Sequence, residues 1–199
     1  MRFFFLLCTL FITGCTSTPK LTPVSNPDTV WQEHQQNIAE LRQWRLKGRI
    51  SIQNDDESWF LKVDWQQQPD AYAVLLSGPF SGMVSLAGSK DSVELSDGEQ
   101  SYQAPDAELL LLEHTGIRMP VNGLRYWLLG IPQPGKKVKD LKLDVAGRMS
   151  SLHQEQWQVS VDRYQQYNGK ILPAKLTIKN HHLKVRLIVD QWQLTPSNS

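Results

Sequence analysis

Few side chains in this chain have the type and spacing to do covalent chemistry, and Cys15 is the first of them. A thiol is a nucleophile that can be acylated, and this one follows the small pair Thr13-Gly14. The other cysteine, Cys8, lies inside an apolar run. The histidines offer no catalytic arrangement. His34, His114 and His153 are isolated, and His181-His182 falls in a Lys-Asn-His-His-Leu segment that reads as a solvated turn rather than a metal site. No H-E-x-x-H, Walker A or G-x-G-x-x-G pattern is present. Ser17-Thr18-Pro19-Lys20 matches S-x-x-K in letters only, because a polar, proline-bearing stretch would not hold serine and lysine in register. An enzyme needs a nucleophile with its base, a metal cluster or a phosphate-cradling loop. No catalytic residue, metal or cofactor is therefore expected.

The chemistry of Cys15 follows from what precedes it. Arg2, the nearly continuous apolar run Phe3–Ile12 and then small residues give a secretory signal its three regions in order. A membrane-spanning helix needs about 20 apolar residues, so this run is too short for a permanent anchor. Ile12-Thr13-Gly14-Cys15 resembles the bacterial lipobox, in which the cysteine is acylated and becomes the first mature residue. An ordinary secretory signal ending beside a cysteine is the alternative. Thr16 stands where an aspartate commonly marks inner-membrane retention, which favours the outer membrane. Residues 1–14 are thus read as signal, 15–27 as lipidated N-terminus and tether, and 28–199 as a single domain. The tether has too little apolar material to bury and, extended, spans roughly 35 Å at about 3 Å per residue.

Charge excludes whole classes of partner. Lys+Arg number 21 against 20 Asp+Glu, and the signal removes Arg2 and no acid, leaving a formally neutral domain. It has no basic stripe for nucleic acid. With Cys8 in the signal and Cys15 acylated, no internal disulfide can form. Stability must come from packing, for which seven tryptophans supply large apolar area.

The elements that would position these features begin at Asn26-Pro27-Asp28, which reads as N-cap, N1 proline and acidic first turn. Trp31, Ile38 and Leu41 then share one face of a helix ending near Trp44. From Arg45 the period changes to 2. Leu46, Gly48, Ile50 and Ile52; Trp59, Leu61, Val63 and Trp65; Tyr72, Val74 and Leu76; Val84 and Leu86; Val93 and Leu95; and Tyr102 after Asp97-Gly98 predict a six-stranded antiparallel meander. Residues 105–130 interrupt it with two short helices, around Leu109–Leu112 and Asn122–Leu129, whose leucine run predicts apolar surroundings on both faces. Strands resume at Leu141-Leu143-Val145, Met149–His153, Trp157-Val159-Val161, Leu176-Ile178 and Leu183–Trp192, with a bulge expected near Ile188 where the apolar phase shifts. The fold class is mainly β with a helical lid. About eleven strands in one domain will curl into a barrel or half-barrel. Periodicity does not decide whether its interior is packed or hollow.

One loop invites a functional reading. Gly78-Pro79-Phe80-Ser81-Gly82 lifts a phenylalanine between glycines, where hairpin connections normally carry small or polar residues. Phe80 either folds back as a lid on the core or stands out as an apolar tip for lipid.

Taken together, the lipobox, the Trp31 helix, Leu46-Lys47-Gly48-Arg49, Trp65-Gln66-Gln67, the Gly78-Pro79-Phe80 loop, the segment Pro120–Pro132 with its Pro-Val-x-x-Leu-x-x-Trp-Leu-x-Gly-x-Pro pattern, Trp157 and Trp192 resemble the LolB family of outer-membrane lipoproteins, over essentially the whole mature chain. That resemblance implies an incomplete antiparallel barrel of eleven strands, covered by helices, around an apolar cavity for acyl chains. It implies a monomer, lipid-anchored through N-palmitoyl, S-diacylglycerol Cys15 in the inner leaflet of the outer membrane and facing the periplasm. Its task would be to accept acylated lipoprotein cargo from the periplasmic carrier LolA and insert it into outer-membrane lipid without ATP. The cavity candidates are Leu61, Val63, Trp65 and Leu76 on the strands, Leu124, Trp127 and Leu128 on the helix, and Trp157. Phe80, with Gly78 and Pro79, falls where the family carries a protruding leucine that delivers cargo to the membrane. Two rivals remain: an envelope assembly factor with a packed core, and a hydrolase with polar groups clustered inside the barrel.

Overall fold

The computed structural model describes residues 23–79 and 82–195, and within them the alternating segments form one antiparallel sheet of eleven strands. Asn26 caps α1 (Pro27–Ala39) through its side chain, which accepts from the Thr29 amide. The helix stops five residues before Trp44, the end expected from the helical spacing. Trp44 instead opens β1 (Trp44–Gln53), because Trp44, Leu46 and Gly48 continue the inward phase of the strand.

The strands β2 (Ser58–Gln67), β3 (Tyr72–Ser77), β4 (Met83–Gly88), β5 (Val93–Ser96) and β6 (Ser101–Ala104) follow as a meander. Two helices then cross over, α2 (Ala107–Thr115) and α3 (Val121–Trp127). The chain returns through β7 (Val138–Leu143), β8 (Met149–Gln154), β9 (Trp157–Tyr167), β10 (Lys170–Lys179) and β11 (Lys184–Leu194). β11 pairs with β1, so the spatial order is β6-β5-β4-β3-β2-β1-β11-β10-β9-β8-β7. The edge strands β6 and β7 do not pair with each other among the described residues, and α2 and α3 are the segment that joins them. Sheet twist brings the edges round, and helices serve where a closing strand pair would.

Two local features depart from the sequence expectation. Val145 lies outside β7, half-exposed, in a turn held by Asp144, whose carboxylate accepts from the Ala146 and Arg148 amides. The α2 leucines do not meet apolar surroundings on every side: Leu110 is buried while Leu109 faces solvent, as suits a helix lying across an opening. The bulge in β11 falls at Asp190, since Lys47 pairs with Gln191 and Gly48 with Val189. A side chain at Gly48 would collide with the Ile188 carbonyl, which is why glycine stands opposite the bulge.

Candidate functional site

Register decides which side chains share the concave face of the first half. One row runs Leu46–Trp65–Val74–Leu86–Leu95 across β1 to β5, and the next runs Gly48–Val63–Leu76–Val84. Beyond them Ile50 pairs with Leu61 and Ile52 with Trp59. Burial is uneven along this series. Trp65, Leu86 and Leu95 are buried, whereas Leu61, Leu76, Val74 and Val84 are only partly so, although they point inward. Inward apolar residues that stay accessible line a space that nothing fills.

That space is a cavity of about 310 Å³. It lies between the inner faces of β1 to β5 and a roof made by Leu111 and Thr115 of α2, Ile117 and Met119 of the connecting loop, and Val121 and Leu124 of α3. Its volume is at the low end of the roughly 300–1,000 Å³ typical of small-molecule sites. It is about twice an apolar cavity of roughly 150 Å³ that stays dry and takes up benzene.

Polar groups at its wall are turned to other partners. The Thr115 hydroxyl donates to the Leu111 carbonyl at 2.6 Å. The Trp65 indole Nε1 donates to buried Gln67 at 3.2 Å, and Gln67 in turn donates to the Gln68 and Ala71 carbonyls. One end is closed by aromatic packing, with Trp44 tilted against Trp65 at 5.9 Å and edge-on at 5.2 Å to Trp192, whose Nε1 donates to the Pro173 carbonyl. Burial pushes the Tyr72 hydroxyl beside this cluster up to about 12, so it stays neutral. The other end, around Ile50, Ile52 and Trp59, carries the β3–β4 loop on its rim. Gly82 lines the cavity while Gly78 and Pro79 line the outer surface of the sheet, and the Gly78 amide donates to the Gly82 carbonyl across the loop base.

Of the sequence candidates, Leu61, Val63, Trp65, Leu76 and Leu124 line the cavity. Trp127, Leu128 and Trp157 do not; they belong to the solid half of the molecule. Trp127 and Trp157 rings lie 6.4 Å apart, and both residues and Leu128 are buried in the core under α3. The reason is Gln154, a fully buried amide that sequence reading passed over. Its oxygen accepts from Trp127 Nε1 and the Gln133 amide at 2.9 Å each, and its nitrogen donates to the Gln133 and Lys136 carbonyls. A glutamine in phase with the apolar Leu152 was the available signal. The sequence also gave no hint of the roof residues Ile117 and Met119, which have no periodicity to mark them. Cys15 and Phe80 lie outside the described residues. Among the described residues no group of three or more His, Cys, Asp or Glu could hold a metal ion, and no helix is long and apolar enough to cross a membrane.

An open antiparallel half-barrel, hollow and apolar on one side and roofed by two short helices, is the class of protein that the fold and the site define. Its architecture is shared with a LolA superfamily protein from Nitrosomonas europaea (TM-score 0.53, 8% identity, 84% of this chain and 94% of that one). A DUF1329 family protein from Desulfovibrio piger is similar in the same way (TM-score 0.54, 6% identity, 90% of this chain and 96% of that one).

Sequence narrows the class to one family. Residues 42–192 match the family model described as outer membrane lipoprotein LolB. Proteins named outer-membrane lipoprotein LolB from Nitrosococcus oceani (36% identical, 95% of each chain) and Pseudomonas aeruginosa (35% identical, 90% of this chain and 88% of that one) align along nearly their whole length. The chain belongs to the LolB family. It is an outer-membrane lipoprotein of the Lol system, a lipoprotein-trafficking protein and not an enzyme.

Proposed function

We propose that this protein accepts acylated lipoproteins from the periplasmic carrier LolA, shelters their acyl chains in the apolar cavity and passes them to the outer membrane. The observation that carries the reading is the cavity: apolar in lining, with Thr115 and Trp65 already hydrogen-bonded elsewhere. An acyl chain entering it gains about 0.8 kcal/mol per buried methylene. It would leave no protein polar group unpaired.

The remaining roles follow from position. Residues 1–14 direct export, acylated Cys15 holds the protein to the inner leaflet, and the tether to residue 27 lets the domain face the periplasm. Two or three acyl chains anchor a lipoprotein far too firmly to cross water unaided. A dry site on the receiver removes that barrier, and transfer needs only a gradient of affinity from carrier to receiver to membrane. ATP has no part in it. At about 310 Å³ the cavity has room for part of this burden. Fuller occupancy requires the roof of α2 and its connecting loop to lift from β1 to β5. Phe80, which falls in the sequence of the rim loop, touches hydrocarbon as cargo leaves.

The deciding experiment mixes the mature chain carrying Cys15→Ala with the carrier loaded with an acylated lipoprotein. Stoichiometric capture by a folded receiver is expected, since the anchor is not part of the cavity. No capture by a folded receiver would end the reading.

A further inference from the structure

The convex face of the sheet is chemically uneven. Toward the closed end its cations are neutralised: Arg45 makes a bidentate pair with Asp64 at 2.6–2.7 Å, Lys47 approaches the same carboxylate at 3.6 Å, and Arg49 pairs with the bulge residue Asp190 at 2.8 Å. Toward the cavity mouth this stops. Lys62, paired in register with Arg49, and Arg186, paired in register with Ser51, have no acidic partner among the described residues. Phe60, 73% exposed, stands two residues from Lys62 on β2 and in the same row as Ser51 and Arg186. Met83 on β4, 55% exposed, continues the adjoining row through Ser77 to Lys62.

These side chains are not spread on a flat sheet. Arg49, Phe60, Lys62 and Arg186 surround a concavity of about 700 Å³ that ends at Gly78 and Pro79, the outer root of the rim loop. Resting on the reading above that the protein works at a membrane, we propose that this concavity is a second membrane contact. It binds anionic lipid headgroups and thereby sets the cavity mouth against the bilayer.

Charge and shape favour lipid over a protein partner. The exposed apolar groups are separated by Lys62 and Ser77 instead of forming the contiguous buried core a stable protein interface requires. Long cationic side chains around an isolated aromatic suit an interface in which the ring enters the acyl boundary and the charges meet phosphate. The acids nearby limit the pose. Asp190 shares Arg49, and the β1–β2 hairpin carries Asp55, Asp56 and Glu57 beyond the Gln53–Ser58 pair. The flank bearing Phe60 and the rim loop therefore approaches the surface, while the acidic hairpin is held away from it.

The test uses the mature chain with Cys15→Ala, so that no lipid anchor masks the contact, and vesicles of phosphatidylcholine with or without about 30 mol% phosphatidylglycerol. Binding should require the anionic lipid and weaken steeply with salt. Lys62→Gln with Arg186→Gln should weaken it about tenfold. Phe60→Ser should weaken it at every salt concentration. Uptake of a fluorescent fatty acid is measured in parallel and should be unchanged, which reports an intact fold and cavity. Equal vesicle binding by wild type and the double variant overturns the proposal. So does a double variant that binds vesicles normally yet no longer receives cargo, which would assign the face to the carrier. Loss of fatty-acid uptake in every form, with charge-dependent vesicle binding kept, would sink the cavity reading and leave this one standing.

Discussion

Trp127 donates its indole N–H to the fully buried Gln154 side chain at 2.9 Å, and this bond marks the border between the solid and hollow halves of the molecule. On one side α3 is pinned to β8 by a glutamine whose amide makes four hydrogen bonds. On the other, Leu124, one turn earlier on the same helix, roofs an empty space. A helix that must bridge a cavity needs its anchor elsewhere.

Gln154→Leu should therefore be costly. It would leave the Trp127 indole and the Gln133 amide buried without an acceptor, a loss of about 2–4 kcal/mol. Urea unfolding should show it as a lower midpoint at unchanged slope, and Tm should fall by about 2–4 °C per kcal/mol. A midpoint within error of wild type would mean that the network contributes nothing net.

Filling the cavity should separate binding from stability. Leu76→Trp, on the half-buried row beside Val63 and Val84, places a large ring in the empty volume. Fatty-acid affinity should drop by at least about tenfold, the equivalent of about 1.4 kcal/mol, while thermal stability holds or rises. Undiminished affinity would show that acyl chains bind elsewhere.

Phe80→Glu should leave folding and capture from the carrier intact and impair incorporation of cargo into liposomes, because a charge at the rim resists entry into hydrocarbon. Incorporation equal to wild type would remove the loop from the delivery step.

His34 predicts a pH dependence. Burial, followed by the positive charge of Arg148, lowers its pKa below the ordinary value near 6.5, and its Nε2 has no hydrogen-bond partner among the described residues. The unfolded chain takes up this proton more readily than the folded one, so stability is complete above about pH 6.5 and declines as pH falls below it. In His34→Phe the ring can still stack on Trp31, whose centroid lies 5.9 Å away. The difference in unfolding free energy between wild type and this variant should change in the variant's favour from pH 7 to pH 5. A constant difference would show that His34 does not titrate in this way.

The order of the first six strands, hairpin by hairpin, was legible because each strand buries one face and its neighbours are joined by short turns, whereas the pairing of β11 with β1 was not. Period-2 alternation placed Leu61, Val63 and Trp65 on a common side, and the phase shift near Ile188 announced the bulge that the fold places at Asp190. The end of α1 was misread because Trp44 stands at helical spacing (i+3) from Leu41 as well as in the alternation of β1. Only its packing on Trp65 and Trp192 chooses between them.

The chain's address, its antiparallel meander and its want of catalytic chemistry are written in residue types and their period, which are local properties. Whether an inward leucine touches a neighbour or a void is not local. Leu76 and Leu128 are equally apolar, yet one faces a cavity and the other is sealed in the core. That distinction depends on how far α2 and α3 stand above the sheet, a distance fixed by Gln154, the tryptophan cluster and the unpaired edges β6 and β7 together.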